Sequence, residues 1–132
     1  MAAPNIVNVA TITGITSAVS GIATLGVTDG ITTVVSNAAS SNKVLKINAL
    51  VATSIGDTTG VSVYLYQEHG GRHNTAISTV SLASTMTVPL FSSLAVIDKT
   101  NSIYLEENKQ IGVRAQSNAG SIDIVCAYEE IS

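Results

Sequence analysis

The densest polar cluster in the chain is Glu68-His69-Gly70-Gly71-Arg72-His73. Two histidines four apart beside a glutamate could share a metal ion if one helix face presented all three. The Gly-Gly pair instead puts them in a loop after a strand ending at Tyr66, where that spacing has no fixed geometry. A solvated loop with surface histidines is expected, with no metal and no cofactor. Cys126 alternates with Ile122, Ile124 and Tyr128, which suits a small buried core residue and not a nucleophile. No Gly-x-Ser-x-Gly elbow surrounds any serine, and the glycines match neither a dinucleotide-binding fingerprint nor a P-loop. Glu106-Glu107 and Glu129-Glu130 are adjacent in sequence, but neighbours on a strand point to opposite faces, so neither pair forms a carboxylate dyad unaided. The expected protein is not an enzyme.

Tyr64 and Tyr66 fall on the strand face opposite Val61, Val63 and Leu65. Two outward tyrosines can stack on a sugar, anchor a protein interface or pack under a neighbouring loop. With one Phe and no Trp the chain lacks the aromatic platform of most carbohydrate readers, which favours an interface or packing within the chain.

The elements that would carry these residues are strands. Val (15), Ile (14) and Thr (15) make up a third of the 132 residues, and β-branched side chains pack well on a pleated surface. Leu45, Ile47, Ala49, Val51, Thr53 and Ile55 alternate along one face of a strand at 44–55. Gly56-Asp57-Thr58-Thr59-Gly60 then predicts a turn into Val61, Val63 and Leu65, hence a hairpin. A second hairpin is predicted from Ile111, Val113 and Ala115, through Asn118-Ala119-Gly120, to Ile122, Ile124, Cys126 and Tyr128. Further strands are expected near 31–37, 75–82, 86–91, 94–97 and 102–105, with Asp98-Lys99-Thr100-Asn101 as a turn and Pro89 at an edge or bend. This spacing predicts an all-β fold, a single antiparallel β-sandwich of jelly-roll or immunoglobulin-like type.

Charge is scarce and unevenly placed. Only 11% of residues are charged, 6 Lys+Arg and 9 Asp+Glu, while 45% are hydrophobic and mean hydropathy is +0.40. The longest unbroken apolar run, Ile124-Val125-Cys126-Ala127-Tyr128, is far too short for a membrane-spanning helix, and the start carries no secretory pattern. A net charge of −3 disfavours nucleic acid and anionic membranes as partners. Residues 1–42 hold one charge, Asp29. A sheet edge normally carries Lys or Glu against edge-to-edge pairing, so residues 1–28 are expected to form an extended arm or added strand covered by a partner, with the sandwich at 29–132. The interface residues expected on this basis are Ile6, Val7, Val9, Ile12, Ile15, Val19, Ile22, Tyr64 and Tyr66. Ile12, Ile15, Val19 and Ile22 have helical spacing, but Gly14 and Gly21 disfavour a helix there.

The chain resembles a group of small virion structural proteins of marine tailed bacteriophages, notably cyanophages. The matching stretches are Met1-Ala2-Ala3-Pro4-Asn5-Ile6-Val7-Asn8-Val9 with Thr11-Ile12-Thr13-Gly14, the block from Ser36 to Leu50, Ile103-Tyr104-Leu105-Glu106-Glu107, and the ending Tyr128-Glu129-Glu130-Ile131-Ser132. They cover about half the chain and contain no catalytic motif. The family's pattern often has Gly-Asp after Leu-Glu-Glu; here Asn108-Lys109 stands, which would alter a turn and not the fold. The resemblance implies a virion component without enzymatic activity, assembled in the bacterial host cytoplasm. The expected role is capsid decoration (cement), as a homo-oligomer bound to other virion proteins, whether major capsid, neck or tail. The alternatives are a neck, tail or fibre-base component, or a receptor- or glycan-binding module using Tyr64, Tyr66 and the 68–73 loop.

Overall fold

A computed structural model describes residues 9–22, 31–56, 59–67, 78–115 and 122–132. Regular structure among them is strand, apart from one 3-10 turn. The strands are β1 (Ile12–Ile22), β2 (Thr32–Asn37), β3 (Val44–Ser54), β4 (Thr59–Gln67), β5 (Ser78–Val88), β6 (Ser93–Ile97), β7 (Ile103–Leu105), β8 (Lys109–Ala115) and β9 (Ile122–Ile131). They form two antiparallel sheets. One has the order β1-β9-β3-β6, with β7 also pairing with β3, and the other has the order β2-β8-β4-β5. The expected β-sandwich is the fold.

The sheets meet over an apolar core. Ile47, Leu50, Ile122, Ile124 and Cys126 from the first sheet, with Val61, Val63, Ile111 and Val113 from the second, are all 0% exposed. Burying each branched aliphatic side chain contributes about 1.5–3 kcal/mol. The β-branched content selected for pleated surfaces therefore supplies both the strands and the layer between them.

Both expected hairpins prove to be crossings between sheets. β3 and β4 lie in different sheets, and so do β8 and β9. A strand with one apolar face satisfies that face equally well by pairing sideways with its neighbour or by arching over to the opposite sheet, so alternation alone does not distinguish them. The Asn118-Ala119-Gly120 turn lies outside the described residues. The strands expected near 75–82 and 86–91 are one strand, β5, whose register against β4 shifts twice. Thr85 there has φ +50°, and its N–H donates to Ser62 Oγ at 2.9 Å. Pro89 follows β5 in a turn, as its missing N–H requires.

The face of β3 also differs from strict alternation. Leu45 and Ile47 point into the core, but beyond them the buried residues are Leu50, Ala52 and Ser54. A register shift between Ile47 and Ala49 against β9 inserts one residue and moves the inward face from odd to even positions. Ala49, Val51 and Thr53, expected inside with Leu45, are therefore on the outer face.

Two polar devices hold the connections. Asn37, 2% exposed, donates from Nδ2 to the carbonyls of Lys43 (2.9 Å) and Leu105 (3.0 Å), while its Oδ1 accepts from Ser41 Oγ at 2.6 Å. The Asp98 carboxylate caps the 3-10 turn at Lys99–Asn101, accepting from Thr100 N–H at 2.9 Å, and Asn101 Oδ1 returns the bond by accepting from Asp98 N–H at 2.7 Å. Hydrogen bonds from the Thr100 hydroxyl and backbone hold the Asp98 carboxyl below its ordinary value. Its stabilising contribution is thus present at neutral pH and is lost as pH falls below about 4 and the carboxylate protonates.

On the outer face of the second sheet, Gly112 sits between Thr33 of β2 and Tyr64 of β4. A Cβ at this glycine would stand 2.4 Å from Ile31 Cγ2 and 2.8 Å from Tyr66 Cε1. Gly112→Ala is expected to destabilise the protein by about 1–3 kcal/mol through this overpacking, read as a lower urea midpoint with an unchanged slope.

Candidate interaction surfaces

β1 is the part of the N-terminal region that the structure places. It pairs antiparallel with β9, in register from Ile12 opposite Ile131 to Val19 opposite Ile124. Ala10 and Thr11 donate N–H bonds to the Ser132 carbonyl at 2.8 and 3.1 Å, and Ser132 N–H returns one to Thr11 at 3.0 Å. The two ends of the described chain are stitched side by side. Strand parity then decides the fate of each residue expected at an interface.

Ile15 and Val19 lie opposite Tyr128 and Ile124, so they face inward, and both are half-buried. Parity would turn Ile22 outward. The register instead shifts after Val19, where Gly21 takes φ +67° and its N–H bonds to Asp123 Oδ1 at 3.1 Å. That bulge returns Ile22 to the core, 2% exposed. Ile22 is consequently a core residue of its own chain, a correction to its expected interface role. Ile12 points out and is 60% exposed, and Val9, ahead of the strand, is half-buried. Ile6 and Val7 lie outside the described residues.

Tyr64 and Tyr66 do share the outer face of the second sheet, with different exposure. Tyr64 is half-buried; Tyr66 is 1% exposed, its ring packed over Gly112 and its hydroxyl bonded to Thr33 Oγ1. Tyr66 therefore packs within its own chain, which corrects its expected interface role and leaves no pair of open rings. Glu68, His69 and His73 lie outside the described residues.

The other candidate groups are structural. Cys126 is buried, and loss of solvation pushes its thiol up to about 11. Burial, then the charge of Glu130 and the neighbouring Cys126, raise Tyr128 as well. Glu130 pairs with Lys43, and Glu107 Oε1 accepts the Asn42 N–H at 2.7 Å. Both acids pin chain segments at the surface, where an ion pair is worth about 0–1 kcal/mol. Among the described residues no group of three His, Cys, Asp or Glu side chains could hold a metal ion, and no helix is long and apolar enough to cross a membrane.

Among the described residues the most exposed large apolar side chain is one that strand alternation does not reveal. Phe91 is 78% exposed, in the turn between β5 and β6, with Leu90 (41%) beside it. Phe91 has φ +57°, a conformation that costs a bulky side chain roughly 1–3 kcal/mol. Four bonds hold it there. Phe91 N–H donates to Ser54 O (2.9 Å), Ser54 N–H to Ser92 O (3.1 Å), and Ser92 N–H and Oγ to Pro89 O (3.1 and 2.7 Å). These contacts bring the turn beside the end of β3, where Ile55 is 48% exposed. Ile55, Leu90 and Phe91 thus form an apolar knob at one end of the sandwich. Its signal was available: no Asp, Glu, Lys or Arg occurs between Arg72 and Asp98. Placing 86–91 in a strand concealed the turn that turns Phe91 outward.

The chain matches no protein-family model and no curated protein. It is similar in structure to a chain from a study entitled "Bacillus endospore appendages form a novel family of disulfide-linked pili", with 14% identity over 100% of this chain and 96% of that one, TM-score 0.46. It is also similar to a chain of the "Cyanophage Pam1 capsid asymmetric unit", with 13% identity over 98% of this chain and 91% of that one, TM-score 0.35.

Because Cys126 is buried and its thiol stays protonated at neutral pH, a thiol-specific reagent is expected to label it only on unfolding. Stoichiometric labelling of the native protein would contradict its placement in the core.

Proposed function

We propose that this protein is a non-catalytic structural component of a bacteriophage virion, and specifically a capsid decoration protein that cements the shell. The observation that carries the reading is the knob of Ile55, Leu90 and Phe91, an apolar group held by backbone hydrogen bonds and presented to solvent, with Leu90 and Phe91 in a stretch that has no Asp, Glu, Lys or Arg between Arg72 and Asp98. Exposed apolar clusters of this kind mark protein contacts, and buried aromatic anchors dominate their energetics. The strand order supports a jelly-roll winding: β1, β3, β6, β7 and β9 form one sheet and β2, β4, β5 and β8 the other, so that most connections cross between layers. The resemblance of the two termini and the 36–50 block to small phage virion proteins points the same way.

The mechanism is mechanical. The sandwich is a stiff body, and seating its knob in an apolar recess at a joint between shell subunits adds buried area that must be exposed before the joint opens. The major capsid protein is the partner on this reading, with neck and tail proteins as the alternative hosts, and assembly takes place in the host cytoplasm.

Phe91→Ser relieves the turn of a bulky side chain and leaves the core untouched. It is expected to preserve the fold by circular dichroism and to weaken binding to purified phage shells about thirtyfold or more, as loss of a hot-spot aromatic does. Copy number per particle, from quantitative mass spectrometry, decides the location. Hundreds of copies fit a shell protein; six or twelve place it in a neck or tail ring and overturn the capsid assignment. Wild-type binding by the variant would remove the knob from the mechanism.

A further inference from the structure

The first sheet ends in β1, and among the described residues no strand lies beyond it. Such an edge presents alternate N–H and C=O groups on its free side. Proteins block these edges with charge, proline, shortness or bulges. β5, the edge of the second sheet next to β4, is blocked by two register shifts. β1 has none of these over Ile12–Val19: it is regular there, uncharged and free of proline.

We propose that β1 pairs antiparallel with β1 of a second copy of this chain, joining the two first sheets across a two-fold axis. Three observations select a second copy. A two-fold interface must be complementary to itself, and a strand without charge meets itself without repulsion. Ile15 and Val19 face inward but are only half-buried at the edge, so the same residues of a second copy cover their open sides. On the outer face, Gly14, Thr16 and Ala18 are small enough for close approach. Registers that keep both outer faces on one side of the joined sheet pair even positions with even positions, and the two such registers centred on Ile12–Val19 set Thr16 opposite itself or opposite Gly14. Ile12 and Val125, 60% and 45% exposed, then lie on one continuous outer surface.

This pairing stands independently of the virion assignment, because it needs only the purified full-length chain. Sedimentation equilibrium over a wide concentration range is expected to show a closed dimer. Thr16 is exposed, so Thr16→Lys and Thr16→Glu should both fold, and each should raise the dimer dissociation constant about tenfold or more by setting like charges together. Mixing the two variants is expected to restore the dimer as a heterodimer. Ser84→Lys, on the bulged edge, should leave it intact. The proposal is overturned by a monomeric wild type, by open-ended growth with concentration, by a Thr16→Lys protein that still dimerises, or by dissociation through Ser84→Lys alone.

Discussion

The position of β9 constrains everything else. The C-terminal strand runs through the interior of the first sheet, between β1 and β3, and its Ile122, Ile124 and Cys126 are wholly buried. β1 therefore has no ladder to join until β9 is in place. The bonds between Ala10, Thr11 and Ser132 tie together segments far apart in the sequence. Folding must close this long loop before its contacts stabilise anything, which is the regime of high contact order and slow assembly. Among the described residues β1 is paired on one side only, against β9.

Scarce charge acquires a structural meaning in this arrangement. A body of two apolar-faced sheets needs few charges for its core, but it has edges and ends to protect. The β5 edge is guarded by irregular backbone, and the Lys43–Glu130 and Asn42–Glu107 contacts hold surface segments near one end. At the opposite sheet's edge β1 has no such guard before its bulge at Gly21, and the turn at Phe91 spends backbone strain to hold an aromatic ring in solvent. Both features cost the single chain something, an open hydrogen-bonding edge in one case and backbone strain in the other.

The site was legible in kind but not in position. Absence of charge near the N-terminus is readable in the sequence as missing edge protection, because edge protection is a property of residue type. Which residues of β1 remain open was not legible. Ile12 and Ile22 look equivalent in sequence, yet the Gly21 bulge puts one outside and the other in the core. Tyr64 and Tyr66 share a face as their spacing requires, but Tyr66 is buried because Gly112 leaves room for its ring. Phe91 was missed because its exposure depends on hydrogen bonds to Ser54, a residue of a different strand.

Composition and alternation by themselves determined an all-β sandwich, the existence of most of its strands, and the burial of Cys126. These follow from β-branched stiffness and the two-residue period of a pleated chain, which act locally. Only the tertiary structure decided that the two apparent hairpins are arches between sheets, that β3 changes its inward face at a bulge, and that β9 is interior. A strand's apolar face is satisfied by any partner that covers it. The choice among partners is made by the packing of all the described strands together, a property no single segment encodes.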